Sequence, residues 1–248
     1  MRPILATGQI FLRKCAKRGM KNIFIAFVVL TVGLLAFSTY QGLFVAPTEQ
    51  TMGEVQRIFY YHVPSAWTAG VCFFVNFLAS LFYLWKRNLA SDALAAASAE
   101  VGVMFCTIVL ITGPIWARPV WGIWWTWDAR LTTTLVLWLI YVSYLVLRRF
   151  AAGGQTQVLA AALAIFGFVD VPIVYMSIRW FRTQHPSPVM GGGENSGLDP
   201  AMLHAFFWNL LSFTCVGIVL MVVRYRLQRA EEQVEAAHAT LALQGGSR

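Results

Sequence analysis

The chain has 248 residues, of which 58% are hydrophobic and 12% charged, and its mean hydropathy is +0.62. With only four Cys, this composition excludes a disordered, collagen-like or disulfide-scaffold chain and points to an integral membrane protein. A formal charge of +8 and ten Trp must then be placed before either is read as function.

A bilayer core about 30 Å thick needs roughly 20 apolar residues of helix. Six uncharged or nearly uncharged runs of that order occur, at residues 23–45, 66–85, 94–115, 131–147, 158–178 and 201–223. They predict an all-α bundle of six transmembrane helices (residues 23–223) between a basic N-terminal segment (1–22) and a C-terminal tail (224–248). Arg13, Lys14, Lys17, Arg18 and Lys21 precede the first run, as in a secretory signal. The run is longer than the roughly 7–15 residues of a signal core, so a retained first helix is expected.

Of the 19 Lys and Arg, 14 fall in segments on the N-terminal side of the bundle; only Arg57, Arg118, Arg130, Arg179 and Arg182 fall opposite. Positive residues stay cytoplasmic, so both termini are expected inside, and the charge is topological rather than a nucleic-acid footprint. The tail, with Glu231, Glu232 and Glu235 among Ala residues, reads as a short exposed helix that frays. Cys15 is expected to be cytoplasmic, and Cys72, Cys106 and Cys215 lie within spans. There is no Cys-x-x-Cys-His for haem attachment and no Gly-Lys-Ser or Gly-Lys-Thr of an ATPase loop.

The third connection, between spans three and four, concentrates the Trp. Five of the ten fall between Trp116 and Trp127. If this segment is helical, Trp121, Trp124, Trp125 and Asp128 share one face at i, i+3, i+4 and i+7. Asp128 is also placed to cap the fourth span. A belt of interfacial anchors is the alternative, but a belt spreads over all helix ends, whereas half the Trp sit in one loop. A planar, apolar ligand stacking on indoles suits that concentration.

Two histidines flank this loop in sequence. His62 precedes Val63 and Pro64; with Pro64 in the first turn of the second span, the imidazole would stand at that helix's external mouth. His185 follows the fifth span, ahead of a Pro- and Gly-rich stretch at 186–195. Two neutral imidazoles from separate loops can grip an iron porphyrin from opposite faces. Among the external arginines, Arg57 and Arg130 are the preferred partners for carboxylates such as haem propionates, since each lies in a segment that already holds a candidate. His204 reads as an interfacial polar group and His238 as a tail residue. Glu100 and Asp170 lie inside spans, Asp170 two residues before Pro172, where a broken backbone hydrogen bond leaves polar groups in need of partners. Intramembrane acids are candidate functional groups, or else protonated acids hydrogen-bonded between helices; neither has a basic partner within a span.

The stretch from Trp121 to Thr132, Trp-Gly-Ile-Trp-Trp-Thr-Trp-Asp-Ala-Arg-Leu-Thr, resembles the WWD signature of haem-handling membrane proteins. Six spans with this motif between the third and fourth, and Tyr61-His62-Val63-Pro64 before it, resemble the haem exporter protein C (CcmC) family of system I cytochrome c maturation, from about Tyr60 to Met202. The resemblance implies axial ligands at His62 and His185 and a haem platform at Trp121, Trp124, Trp125, Trp127 and Asp128. It further implies b-type, non-covalent haem held at the periplasmic face of the inner membrane and delivery to a periplasmic haem chaperone. ABC transporter subunits and a small single-span membrane subunit are the other implied partners. Such a protein positions a cofactor and is not expected to be an enzyme. The competing readings are a b-type cytochrome electron-transfer subunit, which would need histidines at two depths, and a haem or solute permease, for which Glu100 and Asp170 would line the path.

Overall fold

A computed structural model describes residues 2–151, 155–185 and 198–245. The 186–195 stretch, Arg248, Cys15 and the side chains of Arg2, Arg13, Lys14, Lys17 and Arg18 lie outside the described residues. The helices are α1 (Arg2–Tyr40), α2 (Phe59–Lys86), α3 (Leu89–Trp121), α4 (Ala129–Phe150), α5 (Thr156–Phe168), α6 (Asp170–Trp180) and α7 (Pro200–Gly245). A π turn, Gln41–Val45, ends α1, and a 3₁₀ turn, Glu54–Ile58, leads into α2. Among the described residues no β-strand occurs, only an isolated bridge between Glu49 and Gly53. Six segments are long and apolar enough to cross a bilayer, with α5 and α6 together forming the fifth. The chain is a multi-pass membrane protein.

The helix ends follow local chemistry. Arg87, in the left-handed region at φ 52°, closes α2, and Asn88 opens α3 by accepting from the Ala90 amide at 2.9 Å. This tight reversal makes α2 and α3 an antiparallel hairpin, the most extensive helix pairing in the molecule. Small residues let the two approach: Ala93, Ala95, Ala96, Ala97 and Ala99 of α3 are all buried. The fifth span, expected as one run, is divided into α5 and α6 at Val169, where Pro172 can donate no amide hydrogen to the preceding turn.

Polar side chains within the spans turn inward to neighbouring helices, since lipid offers them no partners. Asn76 donates to the Ala95 carbonyl at 2.7 Å, the Trp138 indole to Thr107 at 2.8 Å, and Asn209 to the Ser38 carbonyl at 2.9 Å. Asp92 accepts both guanidinium arms of Arg148, at 2.6 and 2.8 Å. Glu100 is paired with Arg224. This corrects the expectation that Glu100 lacks a basic partner: α7 runs on unbroken past the sixth span, so Arg224 stands beside α3. The C-terminal tail is accordingly no separate short helix but the exposed continuation of α7.

A candidate haem site at the Trp-loop end

The end of the bundle opposite the chain termini is organised by where α3 stops. Gly122, at φ 76°, takes the left-handed conformation after Trp121 and returns its amide to the Arg118 carbonyl at 3.0 Å, a glycine stop that a Cβ would strain. The stretch after Trp121 is therefore not helical, while Trp116 lies within α3. Trp121 ends α3, whereas Trp124, Trp125 and Trp127 lie in the irregular segment up to Asp128. The single-face alignment of three indoles and a carboxylate does not form. Trp125 and Trp127 instead meet edge to face, 5.7 Å between centroids, with Trp127 75% and Trp124 60% exposed.

Asp128 caps α4 as the sequence predicts, its Oδ1 accepting from the Leu131 amide at 2.9 Å. Its other oxygen accepts from Thr183 at 2.6 Å and from Thr126 at 3.3 Å. Thr183 in turn accepts the His185 amide at 3.1 Å. Through this chain of bonds the Trp loop is joined to the segment carrying His185. An open cleft of about 380 Å³ lies at the junction, lined by Thr126, Asp128, Arg182, Thr183 and Gln184.

His62 lies deeper than the sequence suggests. Because the 3₁₀ turn delivers the chain into α2 already at Phe59, Pro64 falls inside the helix rather than in its first turn. The imidazole is consequently not at an open mouth but only 8% exposed. Its Nδ1 lies 2.8 Å from the Thr112 hydroxyl of α3, and the Trp116 indole meets it edge-on at 5.8 Å. His185 and Arg130 both lie within electrostatic reach of this ring. The structure thus gathers His62, His185, Arg130 and Asp128 around one end of α3.

Arg130 spends its Nη1 on the Val174 and Tyr175 carbonyls of α6, at 2.7 and 3.3 Å, and feels the Asp128 charge. Arg57 stands apart from this group. It is paired with Glu54 and donates to the Gly42 and Ala46 carbonyls at 3.0 and 3.1 Å, which ties down the π turn. His204 accepts from the Trp208 indole at 3.2 Å, one turn along α7. Asp170 sits at the α5–α6 break with one carboxylate oxygen buried and unpartnered. Thr112 and Thr183 escaped the sequence reading, and Arg182 was read only as one of the external arginines. Nothing local marks them, since each acquires its role from a residue 50 or more positions away or from a cleft formed only in the fold.

The site has the donors a porphyrin needs. Two imidazoles from separate segments, indole surface, and a nearby cation suit iron, ring and propionates in turn. The indole N–H groups of Trp116 and Trp125 are buried without an acceptor among the described residues, leaving polar capacity for something bound. Comparison with known proteins agrees. The profile of the family Heme exporter protein C matches residues 5–240. The chain belongs to that family. Heme exporter protein C of Escherichia coli K12 is 35% identical over 206 residues, covering 80% of this chain and 78% of the relative. The Haemophilus influenzae protein of the same name is 33% identical over 213 residues, 84% and 85% of the two chains. A ccmC-like mitochondrial protein of cytochrome c biosynthesis from Arabidopsis thaliana is 31% identical over 211 residues, 82% and 80%.

Proposed function

We propose that this haem exporter protein C family member binds b-type haem non-covalently at the periplasmic face of the inner membrane and delivers it to a periplasmic haem chaperone for cytochrome c maturation. The observation that carries the reading is the junction at the end of α3: the Asp128–Thr183 bond holds the His185 segment against the Trp loop, and His62 packs against Trp116 of the helix that leads into that loop. In this scheme His62 and His185 ligate the iron from its two faces. Trp121, Trp124, Trp125 and Trp127 form apolar walls, and Asp128 holds the loop against the His185 segment. Arg130 provides positive charge for a propionate, whereas Arg57, held by Glu54 and the π turn, stands apart from this group. The exposed indoles leave one edge of the bound porphyrin within reach of a docking partner.

The chain positions haem and needs no bond-making residue of its own; covalent attachment belongs to the chaperone. ABC transporter subunits and a small single-span subunit are the further partners in this scheme. The Lys and Arg distribution supports the orientation, with both termini cytoplasmic. A permease path along Glu100 is less well supported, because that carboxylate is held by Arg224. Haem delivery that survives Asp170→Ala combined with Glu100→Ala counts against such a path.

The test is optical. The protein purified from haem-replete membranes is expected to show a six-coordinate haem spectrum that is lost when His62→Ala and His185→Ala are combined. A wild-type spectrum in that double variant overturns the axial assignment.

A further inference from the structure

We propose that Thr112 is a positioning residue for His62, fixing the imidazole as the tautomer protonated on Nδ1 so that the Nε2 lone pair is free for iron. This rests on the reading of His62 as an iron ligand. A threonine hydroxyl has one hydrogen to give and two lone pairs to receive with. The Thr112 Oγ1 lies 2.7 Å from the Ile108 carbonyl, one helical turn back, and 3.5 Å from that of Val109. Carbonyl oxygens only accept, so the hydroxyl hydrogen is committed to the helix. Toward His62, 2.8 Å away, Oγ1 is left as an acceptor, and Nδ1 must carry the proton. A neutral imidazole has only one ring proton, so Nε2 is bare.

Two further contacts fix the plane of the ring. A Cβ added at Gly113 would stand 3.5 Å from the imidazole Cε1, so the α3 backbone itself flanks that edge. Trp116, one turn further along α3, meets the ring edge-on at an interplanar angle of 75°. Among the described residues nothing accepts a hydrogen bond from Nε2, so no protein group favours the opposite tautomer. The arrangement is the one by which a ligating histidine is usually oriented: the far nitrogen donates to an acceptor, which fixes the tautomer and raises the basicity of the ligating nitrogen.

The haem-free protein tests the tautomer directly. With ¹⁵N-labelled histidine, the resonances missing from His62→Ala identify His62, and they are expected to show a protonated Nδ1 and an unprotonated Nε2. Haem affinity and midpoint potential are then compared in wild type, Thr112→Val and Thr112→Ser. Thr112→Val is expected to weaken haem binding by about 10- to 100-fold and to raise the potential, since an imidazole that has lost its acceptor is a poorer donor to ferric iron. Thr112→Ser is expected to restore both. An Nε2-protonated His62 in the wild-type protein, or wild-type affinity and potential in Thr112→Val, overturns the proposal. If Thr112→Val fails to accumulate in membranes, the tautomer of the wild-type protein decides alone. A wild-type haem spectrum in His62→Ala sinks instead the ligand assignment beneath it, and the tautomer measurement separates the two failures.

Discussion

Thr183→Val tests whether the Trp loop and the His185 segment act as one unit. The substitution keeps side-chain shape and removes one hydroxyl. With it go the 2.6 Å bond to Asp128 and the 3.1 Å bond that receives the His185 amide. A hydrogen bond to a charged acceptor contributes about 1.5–3 kcal/mol, and at this half-buried place beside an open cleft the lower end applies. About 1.4 kcal/mol corresponds to a tenfold change in an equilibrium, so the population with the His185 segment detached rises roughly tenfold. Apparent affinity scales with the attached fraction, so with His62 and His185 both on the iron, haem affinity measured by optical titration should fall, by up to the same factor where the detached form dominates before haem binds. The bound spectrum should shift toward a five-coordinate or water-ligated form. Asp128→Asn weakens the same bond while keeping an acceptor for the α4 cap, and Asp128→Ala removes the cap as well, a further loss of about 1 kcal/mol. Asp128→Asn and Thr183→Val combined should therefore cost less than their sum. Unchanged affinity and spectrum in Thr183→Val, or strict additivity with Asp128→Asn, would refute the reasoning.

At the other end of the bundle, the two ion pairs should behave differently. Arg148→Met strands Asp92, whose side chain is only 6% exposed, and should lower stability in detergent unfolding by about 3–5 kcal/mol. Arg224→Met breaks a pair whose side chains are about a third exposed, and should lower it by no more than about 1 kcal/mol. Equal losses in the two variants would contradict the burial argument. Gly102→Ala would set a methyl 2.5 Å from the Phe73 ring. That ring is stacked on Tyr141 at 3.8 Å and has little room to move, so a loss of about 1–3 kcal/mol is expected from overpacking. A midpoint equal to the wild type would show that α2 and α3 can separate there.

What could be read in the chain beforehand was what depends on near neighbours. Six spans followed from apolar run length, the α4 cap from Asp128 at the head of an apolar run, and a lost backbone hydrogen bond in the fifth span from Pro172, though not the division of that span into two helices. The non-helical Trp loop was also legible in principle. Gly122 directly after Trp121 is a helix-stop signal, but the i, i+3, i+4 and i+7 spacing of aromatics competed with it. The depth of His62 was lost because a 3₁₀ turn, Glu54–Ile58, extends the helical path ahead of Pro64, and no strong cap announces it. That Glu100 needed a partner was foreseeable, since a charge inside a bilayer is expensive alone. That the partner is Arg224 was not, because 124 residues separate them and only the packing of α7 on α3 brings them together.

Four of the pairings that escaped the sequence share one element. Asp92, Glu100, Thr107 and Thr112 all lie on α3, and bind Arg148, Arg224, Trp138 and His62 in turn. At one end of the helix its carboxylates fix α4 and α7 by ion pairs. Toward the other, neutral hydroxyls hold an indole and an imidazole, and the helix then stops at a glycine and releases the Trp loop. Charge and apolar packing would make both ends rigid. At the Trp-loop end the bonds that α3 makes to neighbouring side chains are those of hydroxyls, and the ion pair there, Arg57–Glu54, lies within the turn before α2. Trp124 and Trp127 stay exposed beyond the end of the helix. The helix that sets the His62 ring is thus anchored by ion pairs at its other end, away from the Trp loop.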